Sequence, residues 1–314
     1  MRKQTGNILL AGGSGLVGII IKKYLEQLNK TVFILSRSDS SDTNVFKWDP
    51  DNKFMDENIE NRQYDALINL CGAGIADQRW TPARKKTLYD SRLIPTRFLW
   101  SLINEDRLNV NKFIQISASG FYGNRPNPVN EGDPPGSADN FLVKLTKDWE
   151  EVFLENAVED LPHSRIRLGV VISAQGGFMD RFLTPVRFYV SPYFGDGKNY
   201  ISWIHEDELA KMIHVLIEKE KLAPVYNFST PYPFSSKEFS KTLSKVFNPV
   251  AISFPVPVWV LDPLFGEMKE AVLADVQMMP AAFQDMGYTF QTPKIEEALE
   301  KLKAERLKLK AGDS

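Results

Sequence analysis

Asn7-Ile8-Leu9-Leu10-Ala11-Gly12-Gly13-Ser14-Gly15-Leu16-Val17-Gly18 is the stretch on which the reading of this chain turns. The apolar run Ile8 to Ala11 has the character of a strand buried in a parallel sheet. Glycines follow at positions 12, 15 and 18, and Ile19-Ile20-Ile21-Lys22-Lys23-Tyr24-Leu25 has helix length with apolar residues on one face. Strand, glycine turn and helix in that order make a phosphate site. The glycines let the backbone turn tightly and approach a pyrophosphate, and the helix N-terminus presents free N–H groups and the positive end of its dipole. A glycine pattern by itself also marks purely structural turns. Its place between a strand-like and a helix-like segment is the context that points to dinucleotide binding. The contacts expected here are Gly12, Ser14, Gly15, Leu16, Val17 and Gly18.

The remaining composition narrows the field. The chain has 314 residues, 43% hydrophobic, with net charge −2, enough for one large or two modest domains with a sizeable core. A near-neutral balance gives no reason to expect nucleic acid or an anionic membrane as partner. No apolar run reaches membrane-spanning length. Met1 to Gly6 lacks the apolar core of a signal peptide. The single cysteine, Cys71, excludes an intrachain disulfide framework and fits a reducing cytoplasm. Three histidines without a Cys/His cluster give no zinc pattern.

Strand-like and helix-like segments alternate along the first two-thirds. Strands are expected at 31–35, 45–48, 66–70, 112–116 and 225–228, and at 164–168 running on through 169–172. Helices are expected at about 82–103 and 140–156. This alternation predicts an α/β fold, a doubly wound parallel sheet with helices on both faces. From about Pro231 prolines crowd together and helical segments follow at 237–246 and 294–310. This part, with the insertion at 176–200, reads as a smaller lobe over the C-terminal edge of the sheet.

Candidate chemistry sits at the strand ends. After the second strand comes Ser36-Arg37-Ser38. In a dinucleotide fold this point meets the adenosine ribose, where an acidic residue reads the 2′-hydroxyl of NAD and an arginine accommodates the 2′-phosphate of NADP. Asp39 follows two residues later, and a solvated surface arginine is the competing reading. Asn69-Leu70-Cys71-Gly72-Ala73-Gly74 offers small residues at a strand end, suited to a ligand lying close or to tight helix–strand packing. Thr81-Pro82 is a helix start, with Thr81 as N-cap. Arg79, Arg84 and Arg92 nearby have the guanidinium forks that meet phosphate or carboxylate. Ser117-Ala118-Ser119-Gly120-Phe121-Tyr122-Gly123 puts hydroxyls at the end of another strand, where serine can bond a carbonyl and tyrosine can act as an acid. Turn-capping serines and a packed tyrosine are the alternative. Trp203-Ile204-His205-Glu206-Asp207-Glu208 reads as a strand entering a helix, its acids serving the helix dipole or a catalytic pair with His205.

Several of these stretches together resemble the extended and atypical short-chain dehydrogenase/reductases. They are the glycine turn, Asn69 to Gly74, Ser117 to Gly123 and Trp203-Ile204-His205. More narrowly, Arg79-Trp80, Ser91-Arg92, Asp148-Trp149-Glu150, Gly176-Gly177, Ser202 to His205, Pro280 and Gly287-Tyr288-Thr289-Phe290 are similar to the sugar-nucleotide-epimerase-like "epimerase family protein" subfamily. The resemblance covers nearly the whole chain. It implies a Rossmann domain over 6–230, with 176–200 contributing to a substrate lobe. The lobe itself would span 231–314, with a subfamily-specific segment at about 249–298.

It further implies NADP(H) as cofactor, held by the glycine turn with Ser36, Arg37, Cys71, Gly72 and Ala73. Active members of the superfamily carry a Tyr-x-x-x-Lys pair on the helix after the fifth strand. Here the tyrosine position holds Phe141 and the lysine position Leu145, with Lys144 one residue out of register. Ser119 best matches the family serine, and Tyr122 is the phenol that could replace the missing one. Two functions follow as expectations. One is an NADP-dependent oxidoreductase or nucleoside-diphosphate-sugar epimerase, with Ser119, Tyr122 and Lys144 at the nicotinamide. Its substrate would be small and polar or anionic, met by Arg79, Arg84 and His205. The other is an NADP(H)-binding sensor or scaffold without turnover. A homo-oligomer is compatible with both.

Overall fold

The computed structural model describes residues 6–60 and 62–311. The expectation for the first five residues, and the last three positions of the 231–314 segment, lie outside the described residues.

Eight strands form the central sheet: β1 (Asn7–Ala11), β2 (Thr31–Ser36), β3 (Val45–Asp49), β4 (Phe54–Met55), β5 (Ala66–Asn69), β6 (Phe113–Ala118), β7 (His163–Leu168) and β8 (Val225–Phe228). Their order across the sheet is 8-7-6-5-1-2-3-4, and all neighbours run parallel except β3 and β4. The strand order reverses at β1, which pairs with both β2 and β5. A crevice at the carboxyl ends of these strands is where such sheets take ligands.

Alternation along β1 sends side chains into two cores. Ile8 and Leu10 join Ile20 and Ile21 of helix α1 (Leu16–Gln27) on one face. Leu9 and Ala11 join Leu99 and Trp100 of α2 (Pro82–Asn104) and Phe153 of α3 (Phe141–Glu155) on the other. Each fully buried aliphatic side chain contributes about 1.5–3 kcal/mol. Both faces are therefore covered, as the alternating pattern predicts.

The expected continuous run 164–172 breaks. β7 stops at Leu168, and Val170–Ile172 pairs instead with Trp203–His205 in a separate parallel pair. Gly169 makes the turn possible, because a Cβ there would lie 2.8 Å from the Ser202 carbonyl oxygen. This redirection carries the chain off the sheet towards α4 (Phe178–Arg187) and back to α5 (Glu206–Glu218).

The remaining elements build a smaller layer beside the strand ends. Val190–Phe194 pairs in parallel with Ile252–Val256, and Tyr200–Ile201 pairs antiparallel with Phe234–Ser235. Around them lie α6 (Ser236–Phe247), α7 (Val258–Phe265), α8 (Lys269–Val272), α9 (Ala281–Asp285) and α10 (Ile295–Ala311). Met179, Leu183, Phe239, Leu243, Leu299 and Leu302 form its core. The chain then returns to the main sheet: Phe283 of α9 packs on Tyr226 and Phe228 of β8, with ring centroids 5.6 and 5.4 Å apart. Among the described residues no helix is long and apolar enough to cross a membrane.

Candidate functional site

A cleft of about 430 Å³ opens at the end of β1. Gly12, Ser14, Gly15, Ser36, Arg37, Cys71, Gly72 and Ala73 all line it. Gly12 has φ +75°, and a Cβ there would lie 3.0 Å from the Cys71 sulfur. Gly15 is the N-cap of α1; it offers no side chain to the helix, and the first turn holds no acid. The first intrahelical bond runs from Ile19 N to the Gly15 carbonyl (2.9 Å). The N–H groups of Leu16, Val17 and Gly18 thus stand before the ladder begins, where a helix presents its positive end. Open space lies over Gly15, whose added Cβ would meet nothing nearer than the Gly12 oxygen at 3.9 Å. An open, uncapped helix end at a glycine turn fits a dinucleotide pyrophosphate.

At the end of β2, Arg37 is exposed on the cleft wall. Asp39 has turned away from it and pairs with Lys47 of β3 at 2.9 Å. The Ser36 hydroxyl accepts from Ser38 N (3.1 Å), which fixes the turn that presents Arg37. The opposite wall is held from below. Asn69 Oδ1 accepts from Cys71 N, Ser91 Oγ accepts from Ala73 N (3.0 Å), and the Arg92 guanidinium donates to the Ala73 carbonyl (3.1 Å). Arg92 is thereby a buried support for this loop; burial, with Arg84 nearby, draws its pKa down to about 10. Burial pushes the Cys71 thiol up to about 12, so it stays a neutral thiol at ordinary pH.

The structure separates the three catalytic candidates. Ser119 lies on the wall of a second cavity, of about 460 Å³. Tyr122, by contrast, is fully buried. Its hydroxyl donates to Asn227 Oδ1 (2.8 Å) and accepts from Arg167 Nη1 (2.8 Å), and burial raises its pKa to about 12. Buried, with its one proton engaged by Asn227 and the Asn130 carbonyl, this phenol lines neither the cleft nor the cavity. Lys144 is exposed on α3 and lines neither the cleft nor the cavity. The Asn140 N-cap, accepting from Leu142 N and Val143 N, sets the helix register. That register turns Leu145 inward beside Trp80, Leu88 and Met268, with Phe141 packed against the same cluster.

The three residues expected in a substrate pocket, Arg79, Arg84 and His205, do not converge. Arg79 is exposed and donates to the Pro263 carbonyl (3.2 Å). Arg84 donates to the Gly74 carbonyl and lies 3.9 Å from Asp77. His205 is fully buried as the N-cap of α5, its Nδ1 accepting from Asp207 N at 3.2 Å. The charged residue on the cavity wall is Arg181, which no sequence pattern singled out. Also missed as cleft residues were Trp48 of β3, Asp51 in the turn after it, and Thr87, Asp90 and Ser91 of α2; Ser91 entered only through the Ser91-Arg92 resemblance, and the others carry no motif of their own.

His205 has a measurable consequence. Burial lowers its pKa from 6.5 to about 4 against the opposing pull of Asp207. Between those values the unfolded chain binds the proton and the folded one does not, so its contribution to stability is present above 6.5 and lost towards pH 4. The stability advantage of the wild type over His205→Asn, which keeps a capping side chain, should therefore shrink as the pH falls through this window. Urea unfolding of both proteins across the range checks it; a constant difference would show that His205 does not titrate with folding.

Comparison with known proteins places this geometry. Residues 8–228 match the NAD dependent epimerase/dehydratase family, and residues 256–302 match a Domain of unknown function (DUF1731). An epimerase family protein of Mycobacterium bovis is 30% identical over 93% of this chain and 96% of its own length. The crystal structure of the human epimerase family protein SDR39U1 (isoform 2) with NADPH superposes with a TM-score of 0.85 at 23% identity, covering 94% of this chain and 98% of that one. UDP-N-acetylglucosamine 4-epimerase from Bacillus cereus gives 0.75 at 15%, covering 96% and 99%. At those identities the two structures share the fold alone with this chain. With its glycine turn, its sheet order and this match over most of its length, the chain belongs to the NAD dependent epimerase/dehydratase family, in the short-chain dehydrogenase/reductase-like group of epimerase family proteins.

Proposed function

We propose that this protein binds NADP(H) in the cleft at the end of β1 and acts as an oxidoreductase on a compound held beside Ser119. The observation that carries the cofactor choice is Arg37, on the same cleft wall as the glycine turn, with Asp39 tied to Lys47 instead. A guanidinium attracts a 2′-phosphate and can bond it with two parallel N–H groups, whereas a carboxylate there would repel it. When bound, a nicotinamide supplies or takes up a hydride. Ser119 would hold the reacting oxygen, and Leu16, Val17 and Gly18 would hold the pyrophosphate. The NADPH in the related human structure agrees with this choice.

Titration with NADPH and NADH tests it. A charge-assisted hydrogen bond is worth about 1.5–3 kcal/mol, so NADPH should bind at least roughly tenfold tighter, and Arg37→Ala should abolish that preference. Equal affinities in the wild type would overturn it. A second reading, NADP(H) binding without turnover, draws on Phe141 and Leu145 in the apolar cluster and on the engaged hydroxyl of Tyr122. Single-turnover absorbance of bound NADPH against a panel of carbonyl compounds separates the two.

A further inference from the structure

The wall of the cavity beside Ser119 is mostly apolar. Phe178, Phe182 and Phe239 form an aromatic side, with Phe178–Phe182, Phe178–Phe239 and Phe182–Phe239 centroids at 4.7, 5.6 and 5.1 Å. Phe265 and Met268 close it from the C-terminal layer. Its volume, about 460 Å³, suits a small organic molecule.

The polar side chains on this wall are three serines, Tyr193, Tyr200 and Arg181, and two of the serines are engaged. Ser202 Oγ donates to the Val276 carbonyl and accepts from Met278 N. Ser236 Oγ donates to Asn199 Oδ1. Among the described residues the Ser119 hydroxyl has no partner, so it alone of these serines is free for a ligand oxygen. Arg181 is the one charged residue on the wall; it is half exposed and lies 3.5 Å from Asp77. Two phosphate charges brought against such a wall would lose their hydration with one already shared cation to offset it.

We propose that this cavity binds an apolar carbonyl compound or the corresponding alcohol, its hydrocarbon or aromatic body among the phenylalanines and its oxygen on Ser119. The proposal rests on the oxidoreductase reading only for what happens to that oxygen; binding of the apolar body stands apart from it. Aromatic walls give up little when they exclude water and gain contact area with a flat or branched apolar ligand. Charged nucleotide sugars are excluded by the same surface.

The test uses the full chain and Nile red, a neutral apolar dye whose fluorescence rises on burial. The wild type should show saturable dye binding, displaced by cinnamaldehyde and not by UDP-glucose. Val272→Trp and Ala76→Phe, which fill the cavity from α8 and from the loop after β5, should each weaken dye binding at least about tenfold. Two such positions guard against one variant failing to fold, and unchanged NADPH affinity certifies each folded variant. Absence of saturable dye binding in a wild type that binds NADPH would overturn the proposal, as would displacement by UDP-glucose or unweakened dye binding in both folded variants. Dye binding of the expected pattern in a protein that fails to bind NADPH would uphold the cavity and sink the cofactor reading instead.

Discussion

Glu150→Ala is expected to lower the unfolding free energy by about 3–5 kcal/mol, the cost of leaving buried charge without its counter-ion. The Glu150 side chain is 2% exposed. Its carboxylate accepts from Ser117 Oγ (2.9 Å), from Arg167 Nε and Nη2 (both 3.0 Å) and from Arg165 Nη1 (3.0 Å). Arg167 also lies over the Phe121 ring, 3.4 Å from its centroid, and donates to the Tyr122 hydroxyl. One carboxylate therefore serves two guanidinium groups beneath the segment that begins at Ser119. Removing it strands both cations in the interior. Glu150→Gln keeps the shape and part of the hydrogen bonding, so it should fall between the wild type and Glu150→Ala. Urea unfolding of the three proteins checks the order. A Glu150→Ala protein within about 1 kcal/mol of the wild type would show that water reaches the arginines and that the network is a surface ion pair in effect.

The same network explains why Tyr122 stands away from both the cleft and the cavity. A tyrosine in a loop after a strand is locally indistinguishable from one in an active site. What decides it is Arg167, 45 residues on, and Asn227, 105 residues on, which meet its hydroxyl only once β6, β7 and β8 are side by side. The glycine turn was legible because strand, turn and helix are consecutive, and each rests on a local cause: a buried run, backbone freedom, an apolar stripe. Asp39 looked able to reach the ribose because its partner, Lys47, is fixed by the pairing of β2 with β3 and by nothing near it in sequence. His205 was correctly read at a strand-to-helix junction, yet its role as a buried cap depends on the layer that covers α5. The apolar cavity was out of reach for a like reason. Its wall is drawn from separate segments between Ala76 and Val276, and no single segment carries a pattern for it.

The glycine turn makes the other large effect predictable, and two substitutions three residues apart should separate its structural from its binding role. A Cβ on Gly18 would lie 2.3 Å from the Gly13 oxygen and 2.5 Å from the Gly13 carbonyl carbon and Cα. These are backbone atoms that cannot swing aside, so Gly18→Ala must push α1 away from the turn. Ile20 and Ile21 pack into the core from the same helix, and retreat loosens them. Such overpacking costs about 1–3 kcal/mol, and it carries the open N–H groups of Leu16 and Val17 out of place. NADPH affinity should fall by roughly tenfold to a hundredfold, together with stability. Gly15 differs. Its φ of −79° and ψ of 171° suit any residue, and its added Cβ would enter open cleft space. Gly15→Ala should therefore unfold at the wild-type urea concentration while losing NADPH affinity comparably, because the methyl group stands where the phosphate would approach. Parallel urea unfolding and NADPH titration of the two variants decide the matter. Wild-type NADPH affinity in Gly15→Ala would remove the phosphate from this turn, and with it the placement of the 2′-phosphate at Arg37.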